Sequence, residues 1–255
     1  MANLEHPKRY FTVHLQKTAG TTFRDRLRNS FTPRQIYPFM SDGPDILYAI
    51  ISLSHLEKRW KKRSDQIRLI HGHFPLSTVN VLKVPFTTMS VLRPPLDRTL
   101  SYLRHQREVV PADNNKSLEE IYDDPKRFHG IIRNHMTRMF GMSINQMRRI
   151  DGCFGDIPDS QWMLDRAKKG VASLDYVGVQ PEFETFWQEL AAGEGFDTEA
   201  AVNSNATKPM DAPEHLKERI RHDNKMDFEL YDFAQDLLQK RGSCKKPEGE
   251  VLDWD

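Results

Sequence analysis

Four short apolar, β-prone runs, at 10–15, 67–71, 86–92 and 175–179, are separated by longer stretches with helical spacing. That alternation constrains the fold most. Strands divided by helices imply an α/β architecture with a central, mainly parallel sheet, because parallel neighbours need crossover connections. Helices are expected at 21–30, 45–60, 95–109, 117–123, 125–140, 159–171, 182–192, 213–222 and 225–241, several opened by Asp45, Pro94-Pro95, Asp159 or Pro213. Segments 32–44, 110–116, 150–158 and 195–211 read as loops, long enough to serve as lids or substrate loops. A chain of 255 residues can bury one good-sized core, so we expect a single domain over 1–241 and a loosely docked tail at 242–255.

The charge balance limits the partners. With 37 Lys+Arg against 36 Asp+Glu there is no global pull toward nucleic acid or an anionic membrane, so any basic function must be local. No window approaches the roughly 18 apolar residues of a membrane span, and MANLEHPKRY has no apolar stretch that can act as a signal. Two cysteines, Cys153 and Cys244, give neither a disulfide framework nor a metal-type spacing. The expectation is a cytoplasmic protein without nucleic-acid or membrane partners. The run Lys58-Arg59-Trp60-Lys61-Lys62-Arg63 reads as the solvated end of a helix, an anionic polymer site being the alternative.

The first strand runs into HLQKTAGTTF, residues 14–23, and then into a helical pattern carrying Phe23, Leu27 and Phe31. A loop between strand and helix offers free N–H groups at the positive end of the helix dipole, which suits phosphate or sulfate. Lys17 adds a cation, Gly20 permits close approach, and Thr18, Thr21 and Thr22 add hydroxyls. The order differs from G-x-x-x-x-G-K-[ST], which disfavours an ATPase. An ordinary turn with a surface lysine also fits these residues.

The second informative stretch is SVLRPPLDRTLSYLRHQ, residues 90–106. Arg93 stands at the carboxyl edge of a strand, where open α/β sheets bind ligands, and Ser101 lies on the polar face of the following helix. These two can meet a second anionic group near the first loop, an arrangement that suits a nucleotide phosphorylated at both ends. A capping or salt-bridge role for Arg93 is the alternative.

KTAGTT and LRPPLDRTLSYLRH resemble the two cofactor signatures of the sulfotransferases that use 3′-phosphoadenosine 5′-phosphosulfate (PAPS), and most closely the carbohydrate branch typified by heparan sulfate 2-O-sulfotransferase. IHGHF (70–74), NHMTRMFG (134–141), LDYVGVQPEFETF (174–186) and DFELYDFA (227–234) extend the likeness, in family order, over most of residues 10–235. Gln16 stands where the family often has proline, and Pro94-Pro95 replaces an acidic-proline pair. The resemblance implies a P-loop-like three-layer fold, no metal requirement, and adenosine 3′,5′-bisphosphate as product. It assigns Lys17, Thr18, Ala19, Gly20, Thr21 and Thr22 to the 5′-phosphosulfate and Arg93 with Ser101 to the 3′-phosphate. Thr207 and Lys208 would close over the cofactor, while Asn134 and Arg138 would face the acceptor, although a polar helix face explains that pair nearly as well.

Sulfuryl transfer needs in-line positioning, charge stabilisation at the leaving oxygen, and a base for the acceptor hydroxyl. Lys17 suits the leaving oxygen. His71 and His73, two apart on a strand, share a face at its carboxyl end, and the resembling enzymes use a histidine of this H-G-H element as base. His73 is the leading candidate, with His71 as helper. H-x-H can also ligate metal, but no third ligand lies nearby in sequence. The expected activity is therefore PAPS-dependent O-sulfation of a small-molecule or saccharide acceptor. A P-loop-like kinase and a non-catalytic nucleotide- or glycan-binding module are the rivals.

Overall fold

Five short strands form one sheet in the computed structural model, which describes residues 7–18, 20–43, 45–197 and 212–249, Thr21 by its backbone only. They are β1 (Tyr10–Val13), β2 (Ile36–Tyr37), β3 (Leu69–Gly72), β4 (Thr87–Leu92) and β5 (Tyr176–Val179). Their order is β2-β3-β1-β4-β5, and every strand pair is parallel. The chain leaves β1 toward one side of the sheet and later returns to the other, so β1 lies between β3 and β4. That reversal opens a crevice at the carboxyl end of β1.

Helices cover both faces. The longer ones are α1 (Gly20–Arg28), α2 (Leu53–Arg63), α3 (Pro95–Val109), α4 (His135–Gly141), α5 (Gln161–Ser173), α6 (Phe183–Glu194), α7 (Glu214–Asp223) and α8 (Lys225–Arg241). Successive strand residues point to opposite faces, which divides the core in two. Phe11, Val13, Ile70, Val177 and Val179 pack with Leu56 of α2, Met139 of α4, Leu164 of α5 and Leu230 of α8. Tyr10, Leu69, Met89, Val91 and Tyr176 pack with Phe23 and Leu27 of α1 and with Phe186, Trp187 and Leu190 of α6. Leu100 and Leu103 of α3 join Ile121, Tyr122 and the α7 residues Leu216 and Ile220 in a third cluster. This anchors α3 on one face and leaves its polar face for the crevice side.

The structure departs from the sequence reading at several places. Segment 32–44 contains β2, braced by Arg63, whose guanidinium donates to the carbonyls of Arg34 (2.7 Å) and Ile36 (3.0 Å) and pairs with Asp42. The last cation of the basic run is thus a brace. The helix expected at 45–60 breaks into Ile46–Ala49 and α2, because Ser52 caps α2 by accepting from the His55 N–H (3.1 Å) while Asp151 accepts from Ser52 Oγ (2.7 Å) and the Ser54 N–H (2.7 Å). The helix expected at 125–140 becomes a short turn, a π-helical turn (Phe128–Ile132) and α4, interrupted by Asn134 at φ 45°. Thr78–Leu82 and Ile144–Arg149 are additional short helices. The tail begins tightly docked: the Val177 N–H donates to the Cys244 carbonyl (3.0 Å) and the Lys246 N–H to the Asp175 carbonyl (2.8 Å), covering part of the open edge of β5.

Candidate functional site

Three adjacent strands deliver His14, His73 and Arg93 to the same end of the sheet, since these residues follow the carboxyl ends of β1, β3 and β4. Ser90 Oγ donates to the Val13 carbonyl (2.7 Å) and ties the end of β1 to β4. The His14 ring lies between two others, with centroids 4.4 Å from His71 and 4.4 Å from His73. Nδ1 of His73 is 2.8 Å from the His14 carbonyl. A carbonyl can only accept, so Nδ1 carries the proton and Nε2 of the neutral ring keeps its lone pair. His71 lies deeper, with both ring nitrogens buried and without a hydrogen-bond partner among the described residues. Burial, the largest influence on all three, pushes their pKa values below the ordinary 6.5. The neighbouring imidazoles lower His14 further, His73, Arg24 and Arg28 lower His71, and the bond to the His14 carbonyl partly opposes the shift at His73. The stack is neutral at pH 7.

The loop after β1 meets the segment after β4. Lys17 adopts φ 67°, and its carbonyl accepts from Arg93 Nη1 (3.0 Å). That single contact joins two segments 76 residues apart. Thr18 Oγ1 donates to the Leu15 carbonyl (3.1 Å) and holds the turn. Gly20 begins α1 under the His14 ring: a Cβ there would stand 1.7 Å from Nε2. The glycine is therefore demanded by an imidazole.

Around this junction the field is positive. Burial, then Arg93 and Arg104, lowers the Lys17 pKa, with Glu108 as the opposing charge. Burial also lowers Arg93, against Asp97, and lowers His105, which feels Lys17. Half-buried Lys17 has no ion-pair partner for its ammonium among the described residues, Arg93 Nε is buried without a partner, and so is Ser101 Oγ on α3. Donors left without acceptors beside converging cations are what an anion supplies with partners. Thr22 lies half-buried in the first turn of α1. Ala19, the Thr21 side chain, Thr207 and Lys208 lie outside the described residues.

Asn134 and Arg138 are engaged elsewhere. Asn134 Oδ1 accepts from the N–H groups of Met226 (3.2 Å) and Asp227 (3.3 Å) at the start of α8, and its Nδ2 donates to Asp159 (2.9 Å). Asp227 returns the cap, accepting from the N–H groups of Met136 (3.1 Å) and Thr137 (2.7 Å) at the start of α4. Arg138 donates to the carbonyls of His129, Gly130 (2.8 Å) and Gly155 (2.9 Å). Both residues are buried, at 4% and 1% exposure, with these polar groups bound to protein, while Arg138 Nε is buried without a partner among the described residues.

Sequence reasoning did not single out His14 or His135. His135 is fully buried with both nitrogens unpartnered among the described residues, and it stacks on Phe154 (6.2 Å), which meets His73 edge-on (5.9 Å). The signal for His14 was its place directly after β1; its significance depends on β3 lying next to β1, which a single sequence does not display. Among the described residues no three His, Cys, Asp or Glu side chains are grouped to hold a metal, and no helix is long and apolar enough to cross a membrane. A groove of about 480 Å³ beside β5, lined by Val179, Glu182, Phe186, Glu189 and Gln239 among others, shares no residue with the imidazole stack or the anion loop. No model of a known protein family matches the chain, and no curated protein matches it.

Proposed function

We propose that the protein is a PAPS-dependent O-sulfotransferase with a P-loop-like fold, moving a sulfuryl group to a hydroxyl of a small-molecule or saccharide acceptor. The observation that carries this reading is the Lys17–Arg93 contact beside a histidine whose tautomer leaves Nε2 free. The two segments proposed to bind anions and the proposed base follow the carboxyl ends of three adjacent strands, which supports a shared crevice. PAPS supplies the activated sulfuryl group. In this reading Lys17, Thr18, Gly20 and Thr22, with the loop's N–H groups, hold the 5′-phosphosulfate. Arg93 and Ser101 hold the 3′-phosphate, which gives their unpartnered donors an acceptor.

His73 Nε2 takes the acceptor proton as the oxygen–sulfur bond forms. The bond to the 5′-phosphate oxygen breaks, and Lys17 stabilises the charge that develops there. A neutral His73 at pH 7 is ready to accept, and its bond to the His14 carbonyl aims the ring. His71, with no exposed nitrogen, supports the stack through packing. Asn134 and Arg138, bound to protein, hold the α4 wall.

Turnover of PAPS over a panel of saccharide and small alcohol acceptors tests the proposal. His73→Ala is expected to lower kcat by roughly 10²- to 10⁴-fold, the usual worth of a general base. Binding of adenosine 3′,5′-bisphosphate should change little. Undiminished turnover in that variant would remove His73 as base, and no turnover by the parent on any acceptor would remove the activity.

A further inference from the structure

β5 is an edge strand, and among the described residues the tail pairs with only the first half of its outer edge. There the Val177 N–H donates to the Cys244 carbonyl (3.0 Å) and the Lys246 N–H to the Asp175 carbonyl (2.8 Å), around an antiparallel bridge between Tyr176 and Lys245. The next bond of that pattern would run from the Cys244 N–H to the Val177 carbonyl. It is not made. The Cys244 N–H donates instead to Glu189 Oε2 (2.8 Å), which also accepts from Ser243 Oγ (2.7 Å). Strand alternation puts the Val177 carbonyl and the Val179 N–H on the same outer edge, and the tail reaches neither.

Where the pairing stops, the groove of about 480 Å³ begins, with Gly178 and Val179 on its strand side. α6 packs on one face of β5 and α8 on the other, so the two helices wall the groove along the strand edge. Phe186 of α6 and Leu238 of α8 bring apolar surface. Glu182 and Glu189, seven residues apart on and just before α6, share one side of that helix and bring carboxylates. No Lys or Arg is among the described residues that line the groove.

We propose that this groove receives an extended, basic segment of a partner protein. Its backbone adds to the unpaired half of the β5 edge, its apolar side chains lie on Phe186 and Leu238, and a lysine or arginine meets Glu182 and Glu189. An open strand edge is a template for a further strand, and its main-chain bonds read no sequence, so selectivity comes from what flanks the edge. Two carboxylates with no cation beside them on the lining select positive charge. The last six residues of the chain itself hold Glu250, Asp253 and Asp255 and no Lys or Arg, which is the wrong charge for this groove. The groove shares no residue with the imidazole stack or the anion loop, so the inference is independent of the sulfotransferase reading.

The test selects random heptapeptides displayed on phage against the full chain and measures the recovered peptides, made synthetically, by calorimetry. Peptides in which Lys or Arg alternates with apolar residues are expected to be enriched. Their affinity should fall roughly tenfold or more with Glu182→Lys, which sets like charges together. A similar loss is expected with Thr185→Trp, which fills the groove, and with a peptide N-methylated at the residue that pairs with β5. Glu182 and Thr185 are both exposed, so the two variants should melt with the parent. No enrichment, enrichment of acidic or uncharged peptides, or binding that survives Thr185→Trp would overturn the proposal. Spermidine that binds as tightly as the peptides and displaces them would assign the groove to small cations, and self-association of the chain that Thr185→Trp abolishes would assign it to a second copy; either result would overturn a partner segment.

Discussion

A glycine at the first position of a helix is ordinarily improved by alanine, which gains roughly 1 kcal/mol of helix propensity. At Gly20 the sign reverses, because the added methyl would stand 1.7 Å from His14 Nε2, and the ring is held on its other sides by His71 and His73. Overpacking of this kind typically costs about 1–3 kcal/mol, which exceeds the propensity gain. Gly20→Ala is therefore expected to lower the Tm and, on the proposed sulfotransferase reading, turnover with it, since the His14 carbonyl is the group that aims His73. A thermal melt and a PAPS turnover assay check this; a variant more stable than the parent would show that the ring does not occupy that space. Lys17 and Gly20 were both legible in the sequence, but the reason for Gly20 was not. The sequence suggested close approach of a phosphate to Gly20, and the structure adds the His14 ring directly after β1 as a neighbour.

At the scale of elements, α4 and α8 cap each other. Asp227 of α8 accepts from two N–H groups and a hydroxyl on α4, and Asn134 before α4 accepts from two N–H groups on α8. Removing the Asp227 carboxylate leaves buried donors unpartnered and takes a counter-charge from Arg98, so Asp227→Ala should destabilise by about 2–4 kcal/mol. Asn134→Ala should cost about 1–2 kcal/mol through the α8 cap. Urea unfolding of both variants gives these values, and a loss below 0.5 kcal/mol in each, roughly the low end for a cap, would contradict the reciprocal cap. This pairing explains why the helix expected at 125–140 does not form as one piece. Asn134 turns the chain through a left-handed conformation to reach a helix some 90 residues later, and no local pattern reports such a partner. The long amphipathic elements α3 and α8 were readable to the residue, and four strands to within two. β2 was not, since its two residues owe their place to Arg63 and to pairing with β3.

Among the described residues, His14, His71, His73 and His135 are enclosed histidines whose pKa values burial pushes below 6.5, which favours the neutral ring. A group that stays neutral when folded and takes a proton when unfolded leaves stability intact above 6.5. Stability is then lost as pH falls from 6.5 through the depressed folded values, by up to about 1.4 kcal/mol per pH unit for each proton. Asp227, whose carboxyl is raised by burial, acts in the opposite direction, over the window above its ordinary 3.8. The Tm should therefore fall steeply between pH 6.5 and 5, and His135→Phe should flatten the slope even if it lowers the Tm at pH 7. A parallel profile in that variant would contradict a buried neutral His135.

The claim on which the functional account depends is that the β1 loop and the β4 loop build one nucleotide site. Calorimetric titration with adenosine 3′,5′-bisphosphate, ADP and 5′-AMP in metal-free buffer, for the parent and for Arg93→Ala, tests it most directly. At least tenfold preference for the 3′,5′-bisphosphate over both other nucleotides is expected, lost in Arg93→Ala while binding of 5′-AMP is little changed. Equal affinity for the three nucleotides, or a preference indifferent to Arg93, would contradict it.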